Sequence, residues 1–146
     1  MPLTDDAAIR DLLTAARTVA VVGLSDSPDR PSWGVAKALV AHGYRMLPVN
    51  PKITGEHVHG EFVWRELAQI GEPIDIVDVF RRADEVDAVV EDAIRAGAKA
   101  VWLQQGIVNE AAAARAEAAG LAFVQDRCMK VELARLGVPA IGEKGA

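Results

Sequence analysis

The stretch Thr18-Val19-Ala20-Val21-Val22-Gly23 decides the fold. It is a continuous β-branched run, too apolar on both faces for a strand with one side in water, so it reads as a central strand of a parallel sheet. Downstream comes a loop of turn formers, Ser25-Asp26-Ser27-Pro28-Asp29-Arg30-Pro31-Ser32, which leads into a helix. That helix is expected to start near Ser32 or Trp33 with Ser32 as N-cap, to bury Val35, Ala36, Leu39 and Val40, and to end at Gly43. Upstream, Ile9, Leu12, Leu13 and Ala16 share one helical face, predicting a helix capped by Thr4 that packs on the sheet as an extra lid.

The same alternation continues to the other end. Arg45 to Val49 reads as a second strand that stops at Asn50-Pro51, and Phe62 to Ile70 as a short helix closed by Gly71 and Pro73. Ile74 to Phe80 is a third strand, Val86 to Ile94 a helical face ending at Gly97, and Ala100 to Leu103 a fourth strand. A helix from Asn109 to Ala119 and a fifth strand from Leu121 to Val124 follow. Strands alternating with helices predict an α/β fold: one Rossmann-like domain over residues 1–146, with a doubly wound five-stranded parallel sheet, helices on both faces and strand order 3-2-1-4-5. Ligands of such sheets sit outside the carboxyl ends of the strands, at the switch point beside the first strand.

Composition narrows the partners. The 146 residues carry Lys+Arg 16 against Asp+Glu 21, a formal net charge of -5. That balance argues against bulk binding of nucleic acid, so any anion must be held by a local site. No apolar run approaches the ~20 residues of a membrane helix, and Met1 to Asp6 lacks the pattern of a signal peptide, so a cytoplasmic location without membrane contact is expected. The one cysteine, Cys128, excludes an internal disulfide and any multi-cysteine metal site.

The loop from Gly23 to Ser32 leads from a strand into a helix N-terminus, whose N–H groups and partial positive charge suit a phosphate. A dinucleotide fingerprint would read G-x-G-x-x-G, with an acidic residue about 20 positions on. Here the loop reads Gly23-Leu24-Ser25, and the second strand ends Val49-Asn50-Pro51-Lys52. Both departures weigh against NAD. Lys52, with Arg30, Arg81 and Arg82 on neighbouring loops, suits a ligand with an extra phosphate near its ribose.

Ordered stretches through most of the chain resemble the small stand-alone coenzyme A-binding proteins, whose domain is similar to the nucleotide-binding domain of the succinyl-CoA synthetase alpha subunit. They are Val21-Val22-Gly23-Leu24-Ser25, Arg30-Pro31-Ser32, His42-Gly43-Tyr44, Pro48-Val49-Asn50-Pro51-Lys52, Asp75 to Arg82, Trp102 to Ile107 and Asp126-Arg127-Cys128. The resemblance implies coenzyme A or a short acyl-CoA as ligand. It places the nucleotide portion at Gly23, Leu24, Ser25 and Asp26, a lysine contact at Lys52 within Asn50-Pro51-Lys52, and Asp78, Val79 and Phe80 along the adenine and pantetheine. Charge adds Arg81 and Arg82, of which one is expected to enter the site. In this picture the diphosphate lies near Ser25 and Ser32, Lys52 and an arginine neutralise it, and Val49 and Phe80 form apolar walls. Two stretches depart from the family pattern: Gly55 to Glu61, where no ligand contact is expected, and Met129, where relatives often carry proline.

The synthetases use a phosphorylated histidine on a following domain, which is absent from these residues. His42, His57 and His59 occupy no recognisable catalytic setting, Ser32 lacks a nucleophile elbow, and Asp75 and Asp78 face opposite sides of a strand. The expectation is therefore binding without catalysis. Two other readings stay open at this point. One is a non-catalytic partner or remnant subunit of an acyl-CoA ligase or transferase, and the other an NAD(P)-binding redox sensor.

Overall fold

A computed structural model describes residues 1–142, so the last four residues of the expected 1–146 domain lie outside the described residues. The first helix, α1 (Asp6–Ala15), is capped by Asp5, not Thr4: Asp5 Oδ2 accepts the Ala8 N–H at 3.1 Å. Aspartate is among the strongest N-caps, which explains the one-residue difference. The chain continues through β1 (Thr18–Val22), α2 (Pro31–Ala41) and β2 (Arg45–Val49). A hairpin follows, formed by β3 (His57–Val58) and β4 (Glu61–Phe62), and then β5 (Ile76–Val79), α3 (Val86–Arg95) and β6 (Ala100–Leu103). The last elements are α4 (Glu110–Ala118), β7 (Ala122–Val124) and α5 (Met129–Arg135).

Five parallel strands form the main sheet in the order β2-β1-β5-β6-β7. The doubly wound parallel architecture is as expected, but the order is not: counted in chain order, the sheet runs 2-1-3-4-5 rather than 3-2-1-4-5. Burial gives the reason. Every residue of β5 is buried, so this strand belongs in the middle of the sheet, whereas the expected order makes it an edge. β2 is the edge instead, and it contains Pro48, which has no N–H for a further ladder. Gly23 N–H donates to Val49 O, so the neighbouring Pro48 faces outward, where its carbonyl accepts the Trp64 N–H at 2.9 Å.

That contact also explains the missing helix at Phe62–Ile70. Phe62 and Trp64 extend along the open edge of β2, with a parallel bridge between Val49 and Trp64, and only Leu67–Gln69 forms a 3-10 turn. The opposite edge is covered by the N-terminal segment, where the Leu3 N–H donates to Phe123 O at 2.8 Å.

Helices cover both faces. α1, α2 and α5 pack through Ile9, Leu13, Val35, Leu39, Met129 and Leu133 on the face that carries Val21, Ile76 and Trp102. α3 and α4 pack through Val86, Val90, Ala112 and Ala116 on the face that carries Ala20, Val77 and Val101. Each large aliphatic side chain buried there contributes about 1.5–3 kcal/mol. The chain moves one way from β1 to β2 and the other way from β5 to β7, so the winding reverses between β1 and β5, and the carboxyl ends of these two strands open a crevice.

Candidate functional site

β1 ends at Gly23, whose φ of +87° suits glycine, and the chain then rises over the sheet. Hydrogen bonds of ordinary length fix this loop. Ser25 N–H donates to Ser32 Oγ at 2.9 Å, Ser27 N–H donates to Ser25 Oγ at 3.0 Å, and Asn50 Nδ2 donates to Leu24 O at 2.9 Å. Asn50 Oδ1 in turn accepts the Lys52 N–H at 2.8 Å, so one asparagine ties the first loop to the turn after β2. Ser32 is thus a loop brace. The N-cap of α2 is Arg30, with Pro31 in the first turn, because proline's fixed φ and missing N–H suit that position.

A cleft of about 820 Å³ opens over these loops. Gly23, Ser25, Asp26, Arg30, Ser32, Asn50, Lys52, Phe80 and Arg81 all line it, drawn from three loops that are far apart in sequence. A second cleft of about 860 Å³ lies against α3 and the Leu67–Gln69 turn, with Val49 and Pro51 in its wall. Lys52 and Arg81 belong to both clefts and form the wall between them. The charged side chains around the first cleft are Arg30, Lys52 and Arg81 against Asp26, a local cationic excess in an acidic chain. Among the described residues no carboxylate comes within ion-pairing distance of Lys52 or Arg30, and Arg81 has only a long contact of 3.9 Å to Glu85.

Not every expected residue reaches the cleft. Leu24 and Val79 have fully buried side chains that pack in the two cores. Asp78 is also fully buried, facing α2 and α5 rather than the crevice, and burial pushes its carboxyl well above the usual range. Arg81 and Arg82 divide as adjacent residues must. Arg81 lines the wall, while Arg82 is 77% exposed and pairs with Asp84 and Glu85. Trp102 is buried core, donating from Nε1 to Arg127 O at 2.7 Å.

The cleft also holds residues the sequence reading left out of the site: Ile53, Thr54, Gln104, Gln105, Ile107 and Cys128. Gln104 and Cys128 follow the fourth and fifth strands of the sheet, and their position at carboxyl ends was the available signal. Arg65 gave none. It sits in a stretch read as helix, yet its guanidinium donates to Asn50 O and Ile53 O and props the turn that carries Lys52. The histidines lie elsewhere. His42 Nε2 is 3.0 Å from Pro139 O, His57 packs edge-on to Phe62, and the His59 ring lies tilted beside Trp33 with Nε2 2.9 Å from its carbonyl.

A doubly wound parallel sheet with a cationic crevice at its switch point defines the class: Rossmann-like domains that take a ligand across the carboxyl ends of their strands. The chain belongs to the CoA binding domain family, whose family model matches residues 17–134. It is 42% identical over 125 residues to the uncharacterized protein YneT of Bacillus subtilis (strain 168), covering 86% of this chain and 91% of that one. Among solved structures it is similar to a hypothetical protein from Pyrococcus horikoshii OT3, with 39% identity, TM-score 0.87 and coverage of 93% and 96%. It is likewise similar to cell-free ID.343 from Thermus thermophilus, with 38% identity, TM-score 0.86 and coverage of 91% and 99%. No helix among the described residues is long and apolar enough to cross a membrane.

Proposed function

We propose that residues 1–146 act as one domain that binds coenzyme A or a short acyl-CoA across the ends of β1, β2 and β5, without bond chemistry of its own. The observation that carries this reading is the wall shared by the two clefts, where Lys52 and Arg81 stand between one cleft at the start of α2 and a second against α3. A diphosphate on that wall meets both cations and the positive end of α2. The two arms of the ligand then extend one into each cleft, one against Phe80 and the other against Val49 and Val89. Each cleft is of ordinary ligand-binding size, roughly 300–1,000 Å³. The cytoplasm, where thiols stay reduced, is the compartment this reading assigns.

Native mass spectrometry of freshly purified protein tests it. The expected result is a retained adduct with the mass of coenzyme A or an acyl-CoA. Titration calorimetry with coenzyme A, ADP, NAD and NADPH should then rank coenzyme A first. Tighter binding of NADPH than of coenzyme A would overturn the reading in favour of the redox sensor, and a co-purifying larger chain would favour the ligase-partner reading.

A further inference from the structure

Asp78 is a carboxyl group in the middle of the sheet, paired in register with Val21 on one side and Trp102 on the other. It is 0% exposed. Its hydrogen-bonding partner among the described residues is the Gln104 carboxamide, one terminal atom of which lies 2.8 Å from Asp78 Oδ1 and 3.3 Å from Oδ2. Gln104 is itself 5% exposed and lines the first cleft.

Two arrangements satisfy that distance. In the first, Asp78 is ionised and the amide nitrogen of Gln104 turns toward it and donates. In the second, Asp78 carries its proton and donates to Gln104 Oε1. The choice is made by a third group, the Met129 N–H at the start of α5, which lies 3.3 Å from Oε1. Met129 is fully buried, and Gln104 is the acceptor within reach of its N–H. The ionised arrangement leaves that N–H facing an NH2 group, and it leaves a carboxylate in the core without a cation. Each is costly where water cannot enter. The protonated arrangement lets Oε1 accept from both Asp78 and Met129, as one carbonyl oxygen can.

We infer that Asp78 is a neutral carboxylic acid in the folded protein and a positioning residue for the cleft. It donates its proton to Gln104 Oε1 and so links β5 and β6 to the first turn of α5, beside Cys128.

Among the described residues no cation stabilises the charged form. The elements covering this face carry Asp6, Arg10 and Asp11 on α1, Lys37 on α2, and Lys130, Glu132 and Arg135 on α5, with Cys128 at the N-cap of α5. None of these contributes to the shift of Asp78, which burial alone produces. Because the folded protein holds this proton more tightly than the unfolded chain, Asp78 contributes a term to stability that declines as pH rises from about 4 toward its folded value.

The test begins on the wild-type protein without ligand. Carbon NMR of aspartate-labelled protein at about pH 7 should place the Asp78 carboxyl carbon at the position of the acid, moving to that of the carboxylate only at higher pH. A carboxylate signal at neutral pH overturns the inference. Asp78→Asn keeps a donor toward Gln104 and carries no charge. Its urea midpoint should therefore lack the decline with pH that the wild type shows, and parallel declines in both proteins would also overturn the inference. The consequence for binding rests on the coenzyme A reading. Asp78→Asn should keep the wild-type affinity, whereas Asp78→Leu, with no donor for Gln104, should lose about fivefold or more, as for one neutral hydrogen bond. Equal losses in the two variants would count against positioning. If wild-type protein fails to bind coenzyme A, the binding reading falls while the NMR result still decides the protonation state.

Discussion

Gly23, at the end of β1, lies against the backbone of Phe80 so closely that a Cβ at position 23 would stand 2.4 Å from the Phe80 carbonyl oxygen. The two strands that flank the switch point are therefore locked at their carboxyl ends by a glycine. The Phe80 N–H adds a hydrogen bond to Val22 O at 2.8 Å. The floor of the crevice is set by this backbone contact, not by side chains.

Gly23→Ala is expected to destabilise the fold by at least about 3 kcal/mol, combining the strain of a positive φ with overlap against a backbone atom that cannot swing away. Urea unfolding measures it, and a change under about 1 kcal/mol would show that β1 and β5 can separate at this point without loss.

Lys52→Ala should weaken coenzyme A binding by about 1 kcal/mol or more, the worth of a charge-assisted hydrogen bond to phosphate. The backbone of the Asn50–Lys52 turn is held by Asn50 and Arg65, so the substitution removes the amine without moving the turn. Unchanged affinity in titration calorimetry would remove Lys52 from the site.

Arg81 and Arg82 offer a matched comparison, since they are neighbours of the same charge with different exposure. Arg81→Ala is expected to reduce affinity by about 1 kcal/mol or more, and Arg82→Ala by less than about 0.5 kcal/mol, because Arg82 points to solvent and its ion pairs there are weak. Equal losses would mean that net charge, not contact, attracts the ligand. Raising the salt concentration would then reduce both alike.

The strands were legible because continuous apolar runs of four to six residues have few other readings, as Val19-Ala20-Val21-Val22 and Ala100-Val101-Trp102-Leu103 illustrate. Their order was less so, since it depends on which strand lacks an outer neighbour. Pro48 in β2 carried that information, and the unbroken burial of β5 agrees with it. The loops of the site were legible from topology, which sends every strand's carboxyl end to the same crevice. Side-chain direction was not. Asp78 and Phe80 are two residues apart, yet one enters the core and the other the cleft, because the chain leaves the strand at Val79 and alternation no longer applies. The helix α5 was missed altogether. Seven residues give too few turns for a periodic signal, and what docks it comes from the far end of the chain.

That docking supplies the last prediction. Glu132 on α5 is 4% exposed, and its carboxylate accepts from Arg127 Nη1 at 2.8 Å and from Arg135 Nε at 2.8 Å. Arg135 also reaches Asp6 at the start of α1, and Arg127 Nη2 donates to Thr4 O. The hydrogen bond from Arg135, working against the cost of burial and aided by Arg127, holds the Glu132 carboxyl below its ordinary value of 4.5. A carboxyl lowered in the folded state contributes stability that is present above its unfolded pKa and is lost as pH falls through the folded one. Glu132→Gln should therefore cost about 2–3 kcal/mol near neutral pH, since it leaves two guanidinium groups without their shared anion. The loss should shrink as pH falls below about 4.5, where the wild-type carboxylate takes up its own proton. Urea midpoints of the two proteins that converge toward acid pH would bear this out, whereas a gap independent of pH would assign Glu132 a packing role only. The convergence lies on the acid side of the range in which Asp78 acts, so the Glu132→Gln and Asp78→Asn comparisons with wild type report different pH windows.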